Sequence, residues 1–221
     1  MGEIIHIAID GPVASGKGTV AKLLSTRLGI AALDTGAMYR AVAVWMLERG
    51  TEMESEECIA VRMPEIKMKV EIKDDVTVVY IIGEDYTNKI RTAEAGKYAS
   101  VVATNYAVRE AMTKLQQEIA ETNSFILEGR DISSVVLPNA KYKFYLTASV
   151  EKRAGIRRKE LELKGETISE EEMVRQIKIR DARDSGREIA PLKIVEDAII
   201  IDNSELTIKE TIDKFCEFIC V

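Results

Sequence analysis

The sequence contains three cysteines and one histidine, and these shortages remove several classes of chemistry. The three cysteines, Cys58, Cys216 and Cys220, are too few and odd in number for a disulfide framework. Cys216 and Cys220 lie four residues apart on a predicted helix, but no matching His or Cys pair accompanies them, so a metal site there is disfavoured. His6 alternates with apolar residues in a predicted strand, so we interpret it as structural. Catalysis is therefore expected to depend on Lys, Arg and carboxylate side chains.

Positive net charge and a long apolar run are also absent. The formal net charge is -6, which argues against a general nucleic-acid-binding surface. The chain has no run of about 18 apolar residues that could span a bilayer, and its N-terminus lacks the pattern of a signal peptide. From these absences and the low cysteine content we expect a cytoplasmic protein that binds neither nucleic acid nor a membrane.

The sequence does contain an alternation of short apolar strands and helices. The strands are predicted at residues 3–9, 30–33, 125–128, 141–148 and 198–202. Continuous apolar runs of this kind, separated by helices, are typical of a parallel sheet that is covered on both faces. The sequence therefore predicts an α/β fold with a five-stranded parallel sheet flanked by helices. Ligands of such sheets bind beyond the carboxyl ends of the strands.

Helices account for much of the remaining chain. They are predicted at residues 17–28, after Gly36, at about 93–103 and 106–121, over about 150–187 with a break near 164–166, and from about 207. Two strictly alternating segments, 66–72 and 76–82, are joined by a turn at Asp74 and Asp75 and predict an antiparallel hairpin. Because this hairpin interrupts the strand–helix alternation, we interpret it as an insertion into the core.

A glycine-rich loop lies between the first predicted strand and the first helix. Its residues are Gly11, Pro12, Val13, Ala14, Ser15, Gly16, Lys17, Gly18 and Thr19. Glycines allow successive N–H groups to point at phosphate oxygens, and the helix N-terminus adds its dipole. Lys17 could reach the outer phosphates, but Gly18 follows it where the usual motif has Ser or Thr. The loop predicts binding of a nucleoside triphosphate, and which hydroxyl approaches Mg²⁺ stays open.

Triphosphate binding alone leaves GTPase, ATPase and kinase activities open. A GTPase would carry an Asn-Lys-x-Asp guanine-binding motif after a later strand. In this chain Asn88 and Lys89 are followed by Ile90 and Arg91, without the aspartate. The sequence therefore disfavours a GTPase.

Arginines cluster where a second anion would bind. Seven of the fourteen arginines lie between residues 151 and 187. On a helix with about 100° per residue, four charged side chains of the segment 179–187 share one face: Arg180, Arg183, Asp184 and Arg187. Such runs are usually solvated faces with weak i,i+4 pairs. The preference for Arg and the presence of a phosphate loop favour a cationic lid over two anionic substrates instead.

Several motifs, in this order, resemble those of bacterial cytidylate kinases, which transfer the γ-phosphoryl group of ATP to CMP or dCMP. They are IDGPVASGKGT, LDTGAMYRA, IRTAEAGKYAS, VREAM, EGRDISSVVLPNA, RDARDSGREIAPL and DAIIID. The resemblance covers nearly the whole chain. It implies a single P-loop kinase unit over 1–221, an inserted monophosphate-binding region with a β-hairpin over 63–104, and an Arg-rich helical lid over 150–187.

The resemblance also implies roles for individual residues. Residues 11–19 would bind ATP, with Arg153 and Arg157 of the lid as weaker candidates. The CMP site would comprise Thr35, Arg40, Ser100, Arg109, Arg130, Asp131, Arg180, Asp184 and Arg187. Of these, Arg40, Arg130 and Arg180 would bind the phosphate and Asp184 the sugar hydroxyls, and the others would surround cytosine. The residues expected to act in catalysis are Lys17, Arg130, Asp131, Arg180 and Arg183.

Mg²⁺ would arrive with ATP, and Thr19 and Glu128 are the candidates to approach it.

Three positions depart from the family pattern. Glu128 stands where Asp is frequent, Thr35 replaces a Ser of some relatives, and Val13 is bulkier than usual, without an obvious consequence. Nothing in the sequence demands an oligomer, so we expect a monomer.

Base recognition has a simple chemical logic. The carboxylate of Asp131 suits the exocyclic amine of cytosine, and the guanidinium of Arg109 suits its acceptors. Uracil would reverse these positions and leave buried polar groups unpaired, which discriminates strongly. Two alternatives stay open at this point: another P-loop kinase, for adenylate, uridylate or a non-nucleotide acceptor, and a nucleotide-binding switch without turnover.

Overall fold

The structure is a computed structural model that describes residues 4–163 and 165–220. The described residues contain eight strands: β1 (His6–Asp10), β2 (Ala31–Asp34), β3 (Met68–Lys73), β4 (Val76–Ile81), β5 (Glu84–Asp85), β6 (Phe125–Gly129), β7 (Tyr142–Thr147) and β8 (Ile199–Asp202). They also contain eight α-helices: α1 (Lys17–Leu28), α2 (Thr35–Glu48), α3 (Glu56–Arg62), α4 (Ala93–Val102), α5 (Tyr106–Ala120), α6 (Val150–Glu162), α7 (Glu170–Ser185) and α8 (Ile208–Phe218). Glu3, at the start of the first predicted strand, lies outside the described residues.

Five strands form one parallel sheet in the order β2-β6-β1-β7-β8, which confirms the predicted α/β fold. The strand register brings chemically active residues to one edge. Asp10 at the end of β1 lies beside Gly129, and Asp34 at the end of β2 lies beside Glu128. The carboxyl ends of β1, β2 and β6 are therefore level, and the loops that leave them meet.

Each face of the sheet carries its own apolar core, as continuous apolar strands require. On one face, Leu33 and Leu127 pack with Met38 and Trp45 of α2. On the other, α1 and α8 cover the sheet through a cluster that includes Leu24, Phe144 and Phe215. The Phe144 and Phe215 rings are 4.5 Å apart between centroids. These two cores hold rigid the strand ends from which the site is built.

The predicted insertion is a three-stranded antiparallel sheet in the order β3-β4-β5. The hairpin of β3 and β4 confirms the alternating pattern, whereas β5 and α3 were not predicted because both are short. The small sheet is anchored near the phosphate loop by two polar contacts. The Asp34 N–H donates to Thr77 Oγ1 at 3.0 Å, and Ser25 Oγ of α1 donates to Asp75 Oδ1 at 3.1 Å.

Helices α6 and α7 pack against each other as a helical hairpin with its own small apolar core, Ala154, Leu161, Met173 and Ile177. The predicted break at 164–166 falls between them, and Lys164 of that break lies outside the described residues. The helical stretch that was predicted to reach residue 187 ends earlier in the structure. Helix α7 ends at Ser185, where the Gly186 N–H bonds to the Ala182 carbonyl at 2.9 Å. Arg187 therefore lies beyond the helix. In the described ranges, no helix is long and apolar enough to cross a membrane.

Candidate active site

A cavity of about 630 Å³ opens at the carboxyl ends of β1, β2 and β6. Most of the residues predicted to form the site line it. They are Val13, Ala14, Gly16, Lys17, Gly18, Thr19, Thr35, Arg40, Ser100, Arg109, Glu128, Arg130, Asp131, Arg157, Arg180, Asp184 and Arg187. The phosphate loop forms one side, the ends of β2 and β6 form the floor, and α4, α5 and the helical hairpin complete the other side. Segments that are far apart in sequence therefore share one space.

The phosphate loop has a backbone that few other sequences could adopt. Gly11 has φ of 154°, and a Cβ there would lie 2.0 Å from the Leu146 carbonyl oxygen, so only glycine fits. Ala14 and Gly16 have φ of 59° and 89°, in the left-handed region. Helix α1 then begins at Lys17 without a side-chain cap and without an acidic residue in its first turn. Its first N–H groups and dipole are thus available to an anion.

Lys17 is the buried cation of this loop. Its Nζ donates to the Pro12 carbonyl at 2.8 Å and to Ser15 Oγ at 3.3 Å. Burial, and then the nearby charge of Arg130, lower the pKa of Lys17 to about 7. Negative phosphate groups in the cavity would favour the charged form again. The lysine is therefore prepared to gain its strongest interactions when an anion arrives.

Glu128 lies next to the glycine that follows Lys17. A Cβ at Gly18 would lie 3.1 Å from Glu128 Oε1, so a larger residue would require the carboxylate to shift slightly. Burial, and then the charge of Asp34, raise the pKa of Glu128 to about 7. The longer carboxylate of Glu128 thus occupies the space next to the helix start, where the usual motif has a hydroxyl-bearing residue.

The opposite side of the cavity consists of arginines that are paired with carboxylates. Arg40 Nη2 contacts Asp34 Oδ2 at 2.6 Å, and Arg130 Nε contacts Asp184 Oδ2 at 2.8 Å. Asp34 also caps α2 by accepting from the Ala37 N–H at 3.0 Å, which fixes its position. Burial alone would raise the pKa of Asp34, but Arg40 outweighs it and the pKa is lowered. These pairs hold the guanidinium groups in the cavity before any ligand binds.

Arg109 and Asp131 form the most deeply buried ion pair of the site, with side chains 3% and 6% exposed. Arg109 Nη1 also donates to the Ala103 carbonyl at 3.2 Å, while its Nε is buried without a partner. The backbone after Asp131 is fixed by Asp10, which accepts from the Ile132 N–H at 2.8 Å. The pair therefore presents one donor group and one acceptor group side by side at fixed positions.

Neither Arg180 nor Arg187 forms a salt bridge within the part of the chain that the structure describes, in contrast to Arg40, Arg109, Arg130 and Arg157. Arg180 Nε and Arg187 Nη2 are buried without a hydrogen-bond partner. Burial, and then Arg130, lower the pKa of Arg180 to about 10, and burial lowers that of Arg187 as well. The charge of Asp184 opposes these shifts, but no carboxylate of the described ranges lies within salt-bridge distance of either group, so an anion in the cavity would gain two further cationic partners.

Five predicted residues do not line the cavity: Gly11, Pro12, Ser15, Arg153 and Arg183. Gly11, Pro12 and Ser15 belong to the phosphate loop but do not face the cavity. Arg183 Nη1 donates to Ser100 Oγ at 2.6 Å, and Arg183 lines a separate cleft. Arg153 contacts the backbone of the phosphate loop instead of facing the cavity. The shared helical face predicted for residues 180–187 is also incorrect for Arg187, which lies past the helix end.

Three residues of the site were missed by the sequence analysis. Asp34 and Asp10 end two strands, and the rule that ligands bind at carboxyl strand ends could have identified both. Tyr39 lines the cavity, and its ring centroid lies 5.5 Å from the Arg109 guanidinium carbon. Its position four residues after Thr35 on α2 was the available clue, since residues i and i+4 share a helix face.

The chain has close relatives among known proteins. The sequence model of a family described as Cytidylate kinase matches residues 7–220. A protein from Thermotoga maritima named Cytidylate kinase is 46% identical over 216 residues, which is 97% of this chain and 96% of the relative. One of the same name from Caldicellulosiruptor bescii is 43% identical over 213 residues, covering 96% and 94%. A solved shikimate kinase from Acinetobacter baumannii aligns with a TM-score of 0.47 at 18% identity, covering 97% and 92%.

Proposed function

Because this chain belongs to the cytidylate kinase family, we propose that its cavity holds ATP on the phosphate loop and CMP or dCMP among the paired arginines. The activity is ATP-dependent phosphorylation of a nucleoside monophosphate. One observation supports the division of the site most strongly. A single cavity has a phosphate loop on one side and three arginine–carboxylate pairs on the other.

ATP would lie with its phosphates over residues 11–19. The uncapped start of α1 supplies N–H groups, and Lys17 supplies a positive charge next to the β- and γ-phosphates. Arg157 lines the same cavity from the helical hairpin and is the better placed of the two hairpin arginines predicted to contact ATP. The donor nucleotide is thus held mainly by backbone groups.

CMP would place its phosphate near Arg40, Arg130 and Arg180. The first two would exchange their carboxylate partners, at least in part, for phosphate oxygens, and Arg180 would gain its first anionic partner. Arg forks bind phosphate in bidentate geometry, which fixes the orientation of the acceptor. Asp184, next to Arg130, would then be available to accept from the sugar hydroxyls.

Cytosine would lie against Arg109 and Asp131, with Thr35, Ser100 and Arg187 around it. Asp131 would accept from the exocyclic amine, and Arg109 would donate to the ring acceptors. The hydroxyl of Thr35 already donates to the Glu128 carbonyl at 2.7 Å, so its remaining capacity is as an acceptor. Uracil would leave the buried pair partly unsatisfied, which is the physical basis expected for selectivity.

The reaction depends on how the protein positions the two substrates more than on covalent catalysis by the protein. An oxygen of the CMP phosphate attacks the γ-phosphorus, and the bond from that phosphorus to the β-phosphate oxygen breaks, which gives CDP and ADP. The acceptor phosphate is largely ionised near neutral pH, with a second pKa of about 6, so a strong general base is unnecessary. Lys17, Arg130 and Arg180 would stabilise the charge on the transferring group. A closed hairpin would exclude water and prevent hydrolysis of ATP. Arg183 stays a predicted catalytic residue.

Mg²⁺ would be bound chiefly by the phosphates of ATP, because the described ranges contain no group of three or more His, Cys, Asp or Glu side chains that could hold a metal ion. Thr19 and Glu128 line the cavity at the start of α1 and fit a supporting role. A divalent cation would lower the raised pKa of Glu128 and favour its charged form. The ion supplies charge neutralisation between the phosphates when bound.

We further propose that the enzyme acts as a monomer in a reducing compartment such as the cytoplasm. All the residues proposed to bind the two nucleotides come from one chain, so the site needs no second copy. All three cysteines are free thiols, which fits reducing conditions.

The decisive experiment mixes the protein with Mg-ATP and, separately, CMP, dCMP, UMP or AMP, and follows the formation of ADP. We expect rapid ADP formation with CMP and dCMP and little with the other two. ADP formation with AMP or UMP but not with CMP would contradict the proposal, and absence of ADP with every acceptor would indicate a nucleotide-binding switch.

A further inference from the structure

Val13, the phosphate-loop residue that is bulkier than the family pattern, contacts the helical hairpin in three ways. Its side chain packs against the apolar core of the hairpin. Its N–H donates to Asp181 Oδ1 of α7 at 3.4 Å. Its carbonyl accepts from Arg153 Nη1 of α6 at 3.1 Å. One residue of the loop is therefore connected to both helices of the hairpin.

Arg153 completes this connection. It is 4% exposed, and its Nη1 also contacts Asp181 Oδ2 at 2.7 Å, while its Nε donates to the Ala148 carbonyl at 3.0 Å. Ala148 follows β7 directly, so the guanidinium joins the end of a core strand, the phosphate loop and α7. With Nε and Nη1 committed in this way, the main role of Arg153 is to hold the phosphate loop against the hairpin.

We propose that Val13, Arg153 and Asp181 form a positioning bridge that couples closure of the helical hairpin to the shape of the ATP site. The inference rests on the proposed role of residues 11–19 as that site. None of the three residues touches the reacting atoms. They act through the backbone of the loop, whose N–H groups must be aimed at phosphate oxygens for ATP to bind.

The coupling is reciprocal. A hairpin arrangement that keeps Asp181 and Arg153 on Val13 favours one loop geometry, and a loop ordered by phosphate favours that hairpin arrangement in return. The hairpin also carries Arg157 and Arg180 toward α4, since a Cβ at Gly96 would lie 3.8 Å from a nitrogen of each. Binding of ATP would therefore help to position Arg180 on the acceptor side.

The charges of Arg153 and Asp181 predict how ATP binding should differ between single and double variants of the bridge. Asp181 is a carboxylate beside a loop that is to hold a triphosphate, so its charge opposes ATP unless Arg153 neutralises it. Removing Arg153 alone leaves that carboxylate unpaired, whereas removing both charges leaves no repulsion. The double substitution should therefore harm ATP binding less than Arg153→Met does alone.

The test measures ATP affinity by calorimetry, and KM for ATP, KM for CMP and kcat by kinetics, in Arg153→Met, Asp181→Asn and the double variant. We expect Arg153→Met to weaken ATP binding about 10- to 100-fold with KM for CMP changed less than about twofold, and the double variant to recover most of the loss. Val13→Ala, which removes only packing, should raise KM for ATP by a few fold and covers the case in which Arg153→Met does not fold.

The matched control is an ion pair on the exposed side of the same helix. Arg175 Nε contacts Glu172 Oε2 at 2.7 Å, and Arg175→Met with Glu172→Gln should leave all four quantities unchanged. Equal losses for ATP and CMP, or a double variant as weak as Arg153→Met, would overturn the bridge, as would an unchanged KM for ATP in Val13→Ala. Absence of turnover of Mg-ATP with CMP by the unmodified enzyme would instead overturn the proposed function.

Discussion

The two sides of the cavity are built on different principles. The donor side is nine consecutive residues, 11–19, whose backbone conformation creates the site and which contribute one buried cation, Lys17. The acceptor side takes charged side chains from β2, α2, α5, β6 and α7, and most of them are paired. A site built from backbone recognises phosphate in general, whereas one built from side chains can select a particular base and sugar. We therefore expect the arginine–carboxylate pairs to determine which base and sugar are accepted.

Preformed pairs also reduce the cost of organising the acceptor side. A guanidinium that already lies in the cavity loses little side-chain entropy when a ligand binds. Arg40 and Arg130 are held by Asp34 and Asp184 in this way. Arg180 and Arg187 line the same cavity without a salt bridge among the described residues, so burial of their charge is less well compensated.

The largest expected effect comes from removing Lys17, the one cation among residues 11–19, and it should distinguish the two sides of the cavity. Lys17→Ala should lower kcat by about 10³-fold, because the charge on the transferring phosphoryl group loses its nearest buried partner. Affinity for CMP in the absence of ATP should stay within about threefold, since the arginine pairs are untouched. Steady-state kinetics and calorimetry with CMP measure the two quantities. A comparable loss in both would show that the two sides are not distinct.

A smaller effect tests the unpaired arginines. Arg187→Ala should reduce kcat/KM for CMP by about 100-fold. Burial lowers the pKa of Arg187, so the folded protein disfavours the charge and its removal should leave the melting temperature unchanged or raised. Kinetics and thermal unfolding check the pair of expectations. As a control, Arg27→Ala at an exposed ion pair with Asp213 should change neither. A large drop in melting temperature with normal kinetics would identify Arg187 as structural.

The smallest effect concerns the floor between the two sides. Burial, then Asp34, raise the pKa of Glu128 from 4.5 to about 7. Between these values the folded protein keeps a proton that the unfolded chain has lost, so this group makes stability fall as pH rises through that window. Glu128→Gln removes that contribution. The free energy of unfolding of the ATP-free protein can be measured with denaturant at about pH 5 and pH 7. From the lower to the higher pH, it should decrease less, or increase more, in the variant than in the unmodified protein. The opposite difference would contradict the burial of a protonated Glu128.

The sequence predicted the phosphate loop and the helix that follows it because their information is local. Glycine spacing, the lysine and the helix start lie within residues 11–19, and the strand–helix alternation predicted the parallel sheet around them. The acceptor side was predicted as a set of residues but not as a set of pairs. Which carboxylate meets Arg109 or Arg130 depends on strand register and helix packing between distant segments, and no spacing along the chain encodes it.

Two further differences have similar causes. Arg187 was assigned to a helix face by its spacing, but Gly186 ends the helix one residue before it, and the side chain reaches the cavity from a loop. The family resemblance implied that Arg153 contacts ATP, whereas its Nε and Nη1 contact two carbonyls and Asp181. In both cases the residue type was informative, whereas its partner was decided by tertiary structure.

Under the proposed function, the acceptor side selects cytosine through the buried pair of Arg109 and Asp131. A competition in one vessel tests it most directly: equal amounts of CMP and UMP with Mg-ATP, with CDP and UDP separated and quantified, for the unmodified enzyme and for Asp131→Asn. The unmodified enzyme should give almost only CDP. The variant presents an amide donor where the carboxylate accepted, so its ratio of CDP to UDP should fall by at least about 100-fold. A ratio that is the same in both proteins would contradict the account.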